Sequence, residues 1–251
     1  MLYTRHGVRK GDRGEFDLIT VLIIICTHPC LYRDLVAIIM RNFPEFIFAF
    51  WAIHLLGGVA TLVNAWAPSD PLLHCIVQTN PKIIIVDPER ANRLAEGILD
   101  EIKLKTLINK VFVARVHDEG YRNKQRPLQH SYSNWRWKGM SSLDDALASF
   151  KGPLESWREV PESSPEDDAT IFFTSGTTGY PKGVLSSHRA FLTNFFNSFV
   201  ARFRSYLRDG DSLPAPDPNE PQKSALLSVP LFHVTGCTST MVAIFRIFVY
   251  S

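Results

Sequence analysis

The chain has 251 residues, of which 45% are hydrophobic and 21% charged, as in ordinary globular proteins with a sizeable core. This length allows one large domain or two small ones. The formal net charge is +2 and no run of Lys or Arg occurs, so we predict no nucleic-acid partner. Four scattered cysteines do not form a disulfide framework, which favours a reducing compartment and a cytoplasmic location.

Membrane, targeting and metal signals are weak. Phe46–Val63 is long enough for a membrane anchor and has no formal charge, but Gly57-Gly58 interrupts it. We therefore favour a buried helix followed by a buried strand, and membrane association is not expected. The charged N-terminus does not resemble a secretory signal, and the C-terminus does not resemble a peroxisomal one. Cys26-Thr-His28-Pro-Cys30 lacks a second ligand pair, so no metal site is predicted.

The regular pattern begins at Val36. Val36–Met40 is predicted to be a strand, and Asn42 to cap a helix that has Pro44 in its first turn. Gly57-Gly58 ends that helix, and Val59–Leu62 is predicted to be the next strand.

The pattern then repeats. Ser69-Asp70 opens a helix that Asn80-Pro81 stops, and Ile83–Val86 suits a strand covered on both sides. Asp87-Pro88 caps a third helix, and Val111–Ala114 is the next predicted strand. The apolar stripe of the third helix comprises Ala91, Leu94, Ala95, Ile98, Leu99 and Ile102. Alternating strands and helices predict an α/β fold with a parallel sheet and right-handed crossovers.

Residues 115–165 are polar and proline-containing, and only Ser142–Phe150 looks helical. Trp135 and Trp137 in this segment are interpreted as anchors to the core. Further on, Ser186 or Ser187 is expected to cap a helix with an apolar stripe that we interpret as core packing rather than an acyl-tunnel wall. That stripe comprises Phe191, Leu192, Phe195, Phe196, Phe199, Val200 and Phe203. Leu213–Gln222 is predicted to be a loop and Ala225–Val229 a strand.

A stretch rich in Ser, Thr and Gly precedes that helix. An apolar run ends in Thr174-Ser175-Gly176-Thr177-Thr178-Gly179, followed by Tyr180-Pro181-Lys182-Gly183. Glycines let successive N–H groups point into one concavity, hydroxyls add donors, and Lys182 adds a charge, a composition suited to phosphate. The alternative is an ordinary hairpin turn with an exposed lysine. The nucleoside-triphosphate P-loop pattern does not fit, because Pro181 and Gly183 stand where it requires Gly and Ser or Thr.

The stretch from Thr174 to Gly183 closely resembles the phosphate loop of the adenylate-forming superfamily. This superfamily includes acyl-CoA synthetases, coumarate ligases, luciferases and peptide-synthetase adenylation domains. The resemblance implies that the β- and γ-phosphates of ATP bind to Thr174, Ser175, Gly176, Thr177, Thr178, Gly179 and Lys182.

A second string strengthens this resemblance. Pro230-Leu231-Phe232-His233-Val234-Thr235-Gly236 is similar to a superfamily segment that borders the acyl pocket. The resemblance implies that His233 helps to orient the substrate carboxylate, although a lone histidine at a strand end is more often structural.

The resemblance also implies a fold and a domain organisation. Residues 36–251 would form part of the large N-terminal domain of the adenylate-forming fold, with layered, parallel-rich sheets and helices. The C-terminal subdomain, with the catalytic lysine of the family, would be absent, so the catalytic residue is unknown. Residues 1–35 are predicted to be irregular. In the superfamily, a similar turn leads directly into the first strand. In this chain, residues from about 14 to 34 lie between the turn and that strand, and we interpret this segment as a foreign insertion.

The implied reaction has two steps and uses ATP, Mg²⁺ and coenzyme A. A carboxylic acid, fatty or aromatic, would form an acyl-adenylate and then an acyl-CoA thioester, which makes the protein an acid–thiol ligase. We expect this chain alone to be inactive or nearly so. The alternatives are a non-catalytic protein that binds phosphates or another protein, and a membrane-anchored protein that uses residues 46–63.

Overall fold

The computed structural model describes residues 33–116, 137–149, 162–175, 179–211 and 224–249. Most of the proposed insertion at 14–34 lies outside this range, as do Trp135 and the predicted loop at 213–222. Only the last two residues of the proposed insertion are described. The Arg33 N–H donates to the Gly57 carbonyl, and the Asp34 carbonyl accepts from the Val59 N–H. Cys26 and Cys30 also lie outside the described residues.

Within the described residues, seven strands form one sheet in the order β5-β4-β3-β1-β2-β6-β7. All neighbouring strands pair in parallel except β6 and β7, which are antiparallel. The strands are β1 Leu35–Ile39, β2 Val59–Leu62, β3 Ile83–Val86, β4 Lys110–Val113, β5 Ser141–Ser142, β6 Asp168–Thr174 and β7 Lys182–Ser187. The predicted α/β class with a parallel-rich sheet is confirmed.

Helices cover both faces of this sheet. On one face lie α1 Pro44–Leu55, α5 Leu143–Ser149, α6 His188–Asp209 and α7 Val234–Val249. On the other lie α2 Ser69–Thr79, α3 Pro88–Arg93, a π-helical segment Leu94–Ile98 and α4 Leu99–Lys105. Because successive strand side chains point to opposite faces, the sheet separates two apolar cores. In β1, Val36 and Ile38 belong to one core, and Ala37 and Ile39 to the other.

Several local predictions are confirmed in atomic detail. The Asp87 carboxylate accepts the N–H of Arg90 at 3.0 Å and caps α3. The Ser187 hydroxyl accepts the N–H of Ala190 at 3.3 Å and caps α6. Trp137 is buried and its indole N–H donates to Asn92 at 2.8 Å, as expected of an anchor to the core.

Asn42 does not cap α1, contrary to the sequence-based prediction. The N-cap position is occupied by Phe43, which makes no side-chain capping bond. Asn42 instead bonds to a segment almost two hundred residues later in the chain. The cap prediction was wrong because a short-range rule cannot detect a long-range partner.

The predicted stripe on the third helix is wrong at one residue. The π-helical segment holds one more residue per turn than an α-helix, so the phase of the buried face changes within Leu94–Ile98. Ala95 is consequently exposed, whereas Leu94, Ile98 and Leu99 remain buried.

Two predictions in the C-terminal part also need correction. Phe191, Phe195 and Phe199 of α6 are buried and Phe203 is partly buried against the same core, but Leu192, Phe196 and Val200 are exposed, so the buried stripe is narrower than predicted. Residues 225–229 are not assigned as a strand, and Leu226 is 96% exposed. Among the described residues no strand lies beside this segment, so its apolar sequence does not produce a ladder there.

The candidate membrane segment folds in two pieces. Helix α1 ends at Leu55, Gly57 turns the chain with φ of 70°, and β2 begins at Val59. No helix among the described residues is long and apolar enough to cross a bilayer. The buried helix followed by a buried strand is therefore confirmed for residues 46–63.

A buried ion pair joins the loops that leave β1, β2 and β3. Arg90 and Asp87 are 0% and 1% exposed, and their charged groups lie 3.3 Å apart. The Asp87 carboxylate also accepts the N–H of Arg41 at 3.1 Å, and Arg90 donates to the Ala65 carbonyl at 2.6 Å. Each buried charge thus has several hydrogen bonds that offset its loss of hydration.

We expect Arg90→Met to lower the free energy of unfolding by about 3 to 5 kcal/mol, because it leaves the Asp87 carboxylate buried without its cation. Urea unfolding followed by circular dichroism measures this change. Arg189→Met is the control, because Arg189 pairs with Glu166 on the exposed surface and should matter much less. Equal losses in the two variants would contradict a structural role for the buried pair.

His54, near the end of α1, lies in an apolar setting that excludes its charged form. Desolvation lowers its pKa from 6.5 to about 4; the hydrogen bond with the Phe50 carbonyl opposes this shift, and nearby His188 adds to it. The Nδ1 atom lies 2.7 Å from the Phe50 carbonyl, so the single proton of the neutral ring is placed there. Protonating the ring would add a charge to this region.

The fold should therefore lose stability as the pH falls from 6.5 towards 4. In that range the unfolded chain binds a proton at His54 that the folded chain does not bind. This difference lowers the free energy of unfolding by about 3 kcal/mol across the whole range. Urea unfolding at several pH values should show a shallower decline for His54→Gln, which cannot titrate. Parallel declines in the variant and the wild type would contradict this assignment.

Candidate functional site

The carboxyl ends of β1, β2 and β6 meet at one edge of the sheet. Leu62 of β2 is in register with Ile38 of β1 and with Phe172 of β6, and all three strands run in the same direction. The chain segments that leave these strands therefore emerge side by side. In open parallel sheets, ligands bind at the carboxyl edge of the strands.

The predicted phosphate loop connects β6 to β7. Thr174 and Lys182 are partners in the antiparallel register, so their side chains lie on the same face of the sheet, and both are exposed. Ser175 is exposed as well, and Gly179 has φ of 144°, a conformation that favours glycine. Gly176, Thr177 and Thr178 lie outside the described residues, so the contacts predicted for them remain predictions.

The strand after this loop distinguishes it from a P-loop. Lys182–Ser187 continues as β7 and not as a helix, as the sequence indicated. No helix N-terminus follows the loop directly, since α6 begins only at His188. An anion here would therefore depend on the loop itself and on the ammonium group of Lys182.

Tyr180 connects the loop to the helix layer. Its ring stacks on His74 of α2, with centroids 4.8 Å apart and planes inclined by 25°. The described end of the loop is thus supported by a side chain from α2. No local sequence pattern joins His74 and Tyr180, so this contact could not be predicted from the sequence.

Asn42 holds the Pro230–Gly236 segment, the second candidate element, at the carboxyl edge of the sheet. Its amide nitrogen donates to the Val229 carbonyl at 2.9 Å, and its amide oxygen accepts the N–H of Leu231 at 2.8 Å. Leu231 and Phe232 are buried, whereas His233 is exposed. The structure thus places the predicted substrate residue at the surface, beside the end of β1.

The glycine of this segment has a steric explanation. A Cβ atom on Gly236 would lie 2.0 Å from the Pro230 carbonyl oxygen, which is too close for any other residue. The first turn of α7 packs against this carbonyl, which also accepts the N–H of His233 at 3.1 Å. The spacing from Pro230 to Gly236 therefore reflects a compact turn that fixes where His233 leaves the core.

Trp66, which was not predicted as a site residue, lies at the same carboxyl edge of the sheet. It follows β2, its indole is 52% exposed, and its centroid lies 5.1 Å from that of Phe232 in an edge-on arrangement. Phe232 in turn lies 4.7 Å from His233. A tryptophan directly after a buried strand, at the predicted carboxyl edge of the sheet, was the available signal.

The buried thiols are unsuited to nucleophilic chemistry. Desolvation raises the pKa of Cys75 and of Cys237 to about 12, and both are free and buried. In the described part of the chain, no group of three His, Cys, Asp or Glu side chains is arranged to hold a metal ion. The described edge therefore offers hydroxyl, amide and ammonium groups together with aromatic surfaces.

Comparison with known proteins identifies relatives with the same elements. The sequence profile described as "AMP-binding enzyme" matches residues 32–247. The chain is 27% identical over 162 residues to 4-hydroxybutyrate–CoA ligase 2 of Metallosphaera sedula, covering 64% of this chain and 26% of that protein. It is 26% identical over 220 residues to 4-coumarate–CoA ligase 4 of Arabidopsis thaliana, covering 86% of this chain and 32% of that protein. The chain thus spans about a third or less of these curated relatives.

Solved structures show the same fold. A red-emitting luciferase from Phrixothrix hirtus superposes with a TM-score of 0.64 at 20% identity, covering 92% of this chain and 38% of that one. The anthranilate CoA ligase AuaEII, in complex with anthranoyl-AMP, gives 0.55 at 18% identity, covering 71% and 30%. At these identities the similarity establishes the fold alone.

We expect Asn42→Ala to release the segment that carries His233. Loss of both amide hydrogen bonds leaves a partly buried N–H unsatisfied, which should lower the free energy of unfolding by about 1 to 3 kcal/mol. Amide hydrogen exchange should accelerate most at Leu231. Asn197→Ala, at an exposed position on α6, serves as the control, and unchanged exchange at Leu231 in Asn42→Ala would refute the assignment.

Proposed function

Because this chain belongs to the AMP-binding enzyme family, we propose that it carries the phosphate grip and part of the acid-binding wall of an ATP-dependent acid–thiol ligase. The observation that carries the proposal is that the β6–β7 loop and the segment held by Asn42 both lie at the carboxyl edge of one sheet, since β1, β2 and β6 run in parallel. This chain spans about a third or less of the matched relatives, so the activity of a whole ligase is a proposal.

In the proposed first step, a carboxylate oxygen attacks the α-phosphorus of ATP. The bond from that phosphorus to the bridging oxygen breaks, pyrophosphate leaves, and an acyl-adenylate forms. In the second step, the sulfur of coenzyme A attacks the acyl carbonyl carbon, and AMP leaves. Both reactants of the first step are anionic, so neutralising and positioning charge is the main task of the protein.

The residues of this chain divide that task. Thr174, Ser175 and the adjoining loop residues donate hydrogen bonds to the terminal phosphates, and Lys182 offsets their negative charge. His233 orients the carboxylate from the segment held by Asn42. The exposure of Thr174, Ser175, Lys182 and His233 supports these roles, because each side chain is accessible to a ligand. Mg²⁺ is implied by the family, but in the described part of the chain no group of three His, Cys, Asp or Glu side chains would hold it.

The acid is proposed to be fatty or aromatic. The names of the relatives include 4-coumarate–CoA ligases and a long-chain-fatty-acid–CoA ligase of Bacillus subtilis, and one similar structure holds anthranoyl-AMP. The exposed aromatic surface of Trp66 beside Phe232 suits an apolar acyl group.

The proposed location is the cytoplasm, where buried free thiols such as Cys75 and Cys237 remain reduced.

We expect Lys182→Ala to weaken the binding of ATP about 10- to 100-fold, because hydrogen bonds to charged groups contribute about 1.5 to 3 kcal/mol. Isothermal titration at fixed ionic strength measures the dissociation constant, since added salt screens this contribution. Lys182→Arg should retain most of the affinity.

Lys138→Ala is the matched control, because Lys138 is also exposed but lies far along the chain from the loop, beside β5. It should bind ATP as the wild type does. Equal ATP affinity in Lys182→Ala and Lys138→Ala would refute the role of Lys182 and, with it, the phosphate grip.

A further inference from the structure

Trp66 is an exposed aromatic residue on a loop whose neighbouring residues are buried. Its side chain is 52% exposed, while Ala65 and Ala67 on either side are 1% and 6% exposed. The loop therefore presents the indole outward from two small residues that pack into the fold. A large apolar side chain held in this way is a common feature of recognition surfaces.

The backbone around Trp66 is fixed by several hydrogen bonds. The Trp66 N–H donates to the Asn64 side chain at 2.8 Å. Arg90 donates to the Ala65 carbonyl at 2.6 Å, and Arg93 donates to the Ala67 carbonyl at 2.5 Å. Binding to a surface that is already ordered avoids most of the entropy cost of fixing it, so this indole is suited to ligand contact.

The position of the indole connects it to the proposed acid site. Its ring lies edge-on to Phe232, with the planes inclined by 69°, and Phe232 is in contact with His233. Phe232 itself is only 2% exposed, so within this aromatic pair the accessible surface belongs to Trp66. A carboxylate directed at His233 would place the remainder of the acid close to this surface.

We propose that Trp66 is an acyl-contact residue whose indole packs against the planar ring of an aromatic carboxylic acid. This inference rests on the proposed function, since it assigns the substrate class of the same site. The indole carries no charge and presents a broad flat face, so a planar ring gains more contact than a flexible alkyl chain of similar length. The face of Trp66 thus selects for aromatic acids over short straight-chain acids.

The test compares two acids and one nucleotide on the same proteins. Isothermal titration of the full chain with 4-coumarate, hexanoate and ATP is carried out for the wild type, Trp66→Ala, Trp66→Phe and Trp51→Ala. Trp51 is the matched control, because its indole is also partly exposed but belongs to α1. Lys182→Ala, titrated with ATP, reports separately on the phosphate grip.

We expect Trp66→Ala to weaken 4-coumarate binding about three- to tenfold, which corresponds to the usual contribution of an aromatic pair. Hexanoate should be affected less and ATP not at all, while Trp66→Phe and Trp51→Ala should bind 4-coumarate nearly as the wild type does. This pattern would support the inference.

Three results would overturn it. The first is equal 4-coumarate affinity in the wild type and Trp66→Ala, which would mean that another segment or partner covers the indole. The second is equal weakening of ATP and 4-coumarate, which would indicate a structural role. The third is the absence of 4-coumarate binding to the wild type. If ATP binding still depends on Lys182 in any of these cases, the proposed function stands while the role of Trp66 fails.

Discussion

The ion pair between Asp87 and Arg90 is the interaction on which the carboxyl edge of the sheet depends. The Asp87 carboxylate accepts the N–H of Arg41 in the loop after β1. The Arg90 guanidinium donates to the carbonyl of Ala65 in the loop after β2. Both groups are almost fully buried, so their geometry is set by direct bonds and not by solvent. Asn42 and Trp66, on the two loops tied to this pair, are thereby kept in fixed positions. The site is exposed, but the charges that shape it lie beneath the surface.

The two candidate binding elements depend on chain connectivity in different ways. The residues proposed to grip phosphate are consecutive in the chain, between β6 and β7, so a sequence pattern alone suggests that role. The segment proposed to contact the acid is positioned by a hydrogen bond across 189 residues, from the Leu231 N–H to the Asn42 side chain. A pattern can indicate that Pro230–Gly236 is important, and the required glycine at 236 shows why its spacing is fixed. Its place beside β1 becomes visible only in the folded chain.

The sheet was predictable because each central strand is a short apolar run between turn residues. Val59–Leu62 and Ile83–Val86 occur as predicted, since parallel strands covered on both faces need apolar side chains throughout. The failures have three physical causes. Asn42 has a distant partner, the π-helical segment moves Ala95 out of phase, and no strand in the described part of the chain pairs with residues 225–229. Trp66 has no motif, because its exposure follows from the packing of the alanines beside it.

The π-helical segment between α3 and α4 has a further consequence for how this fold can vary. Leu94–Ile98 accommodates one residue more than a regular α-helix would, and Ala95, Glu96 and Gly97 on its outer side are all exposed. A Cβ atom at Gly97 would meet no neighbour within 4 Å. Loss of a single residue here would convert the segment to ordinary helix without moving the anchors at Arg90 or Ile102. The carboxyl edge of the sheet should therefore tolerate the deletion of one residue within this segment.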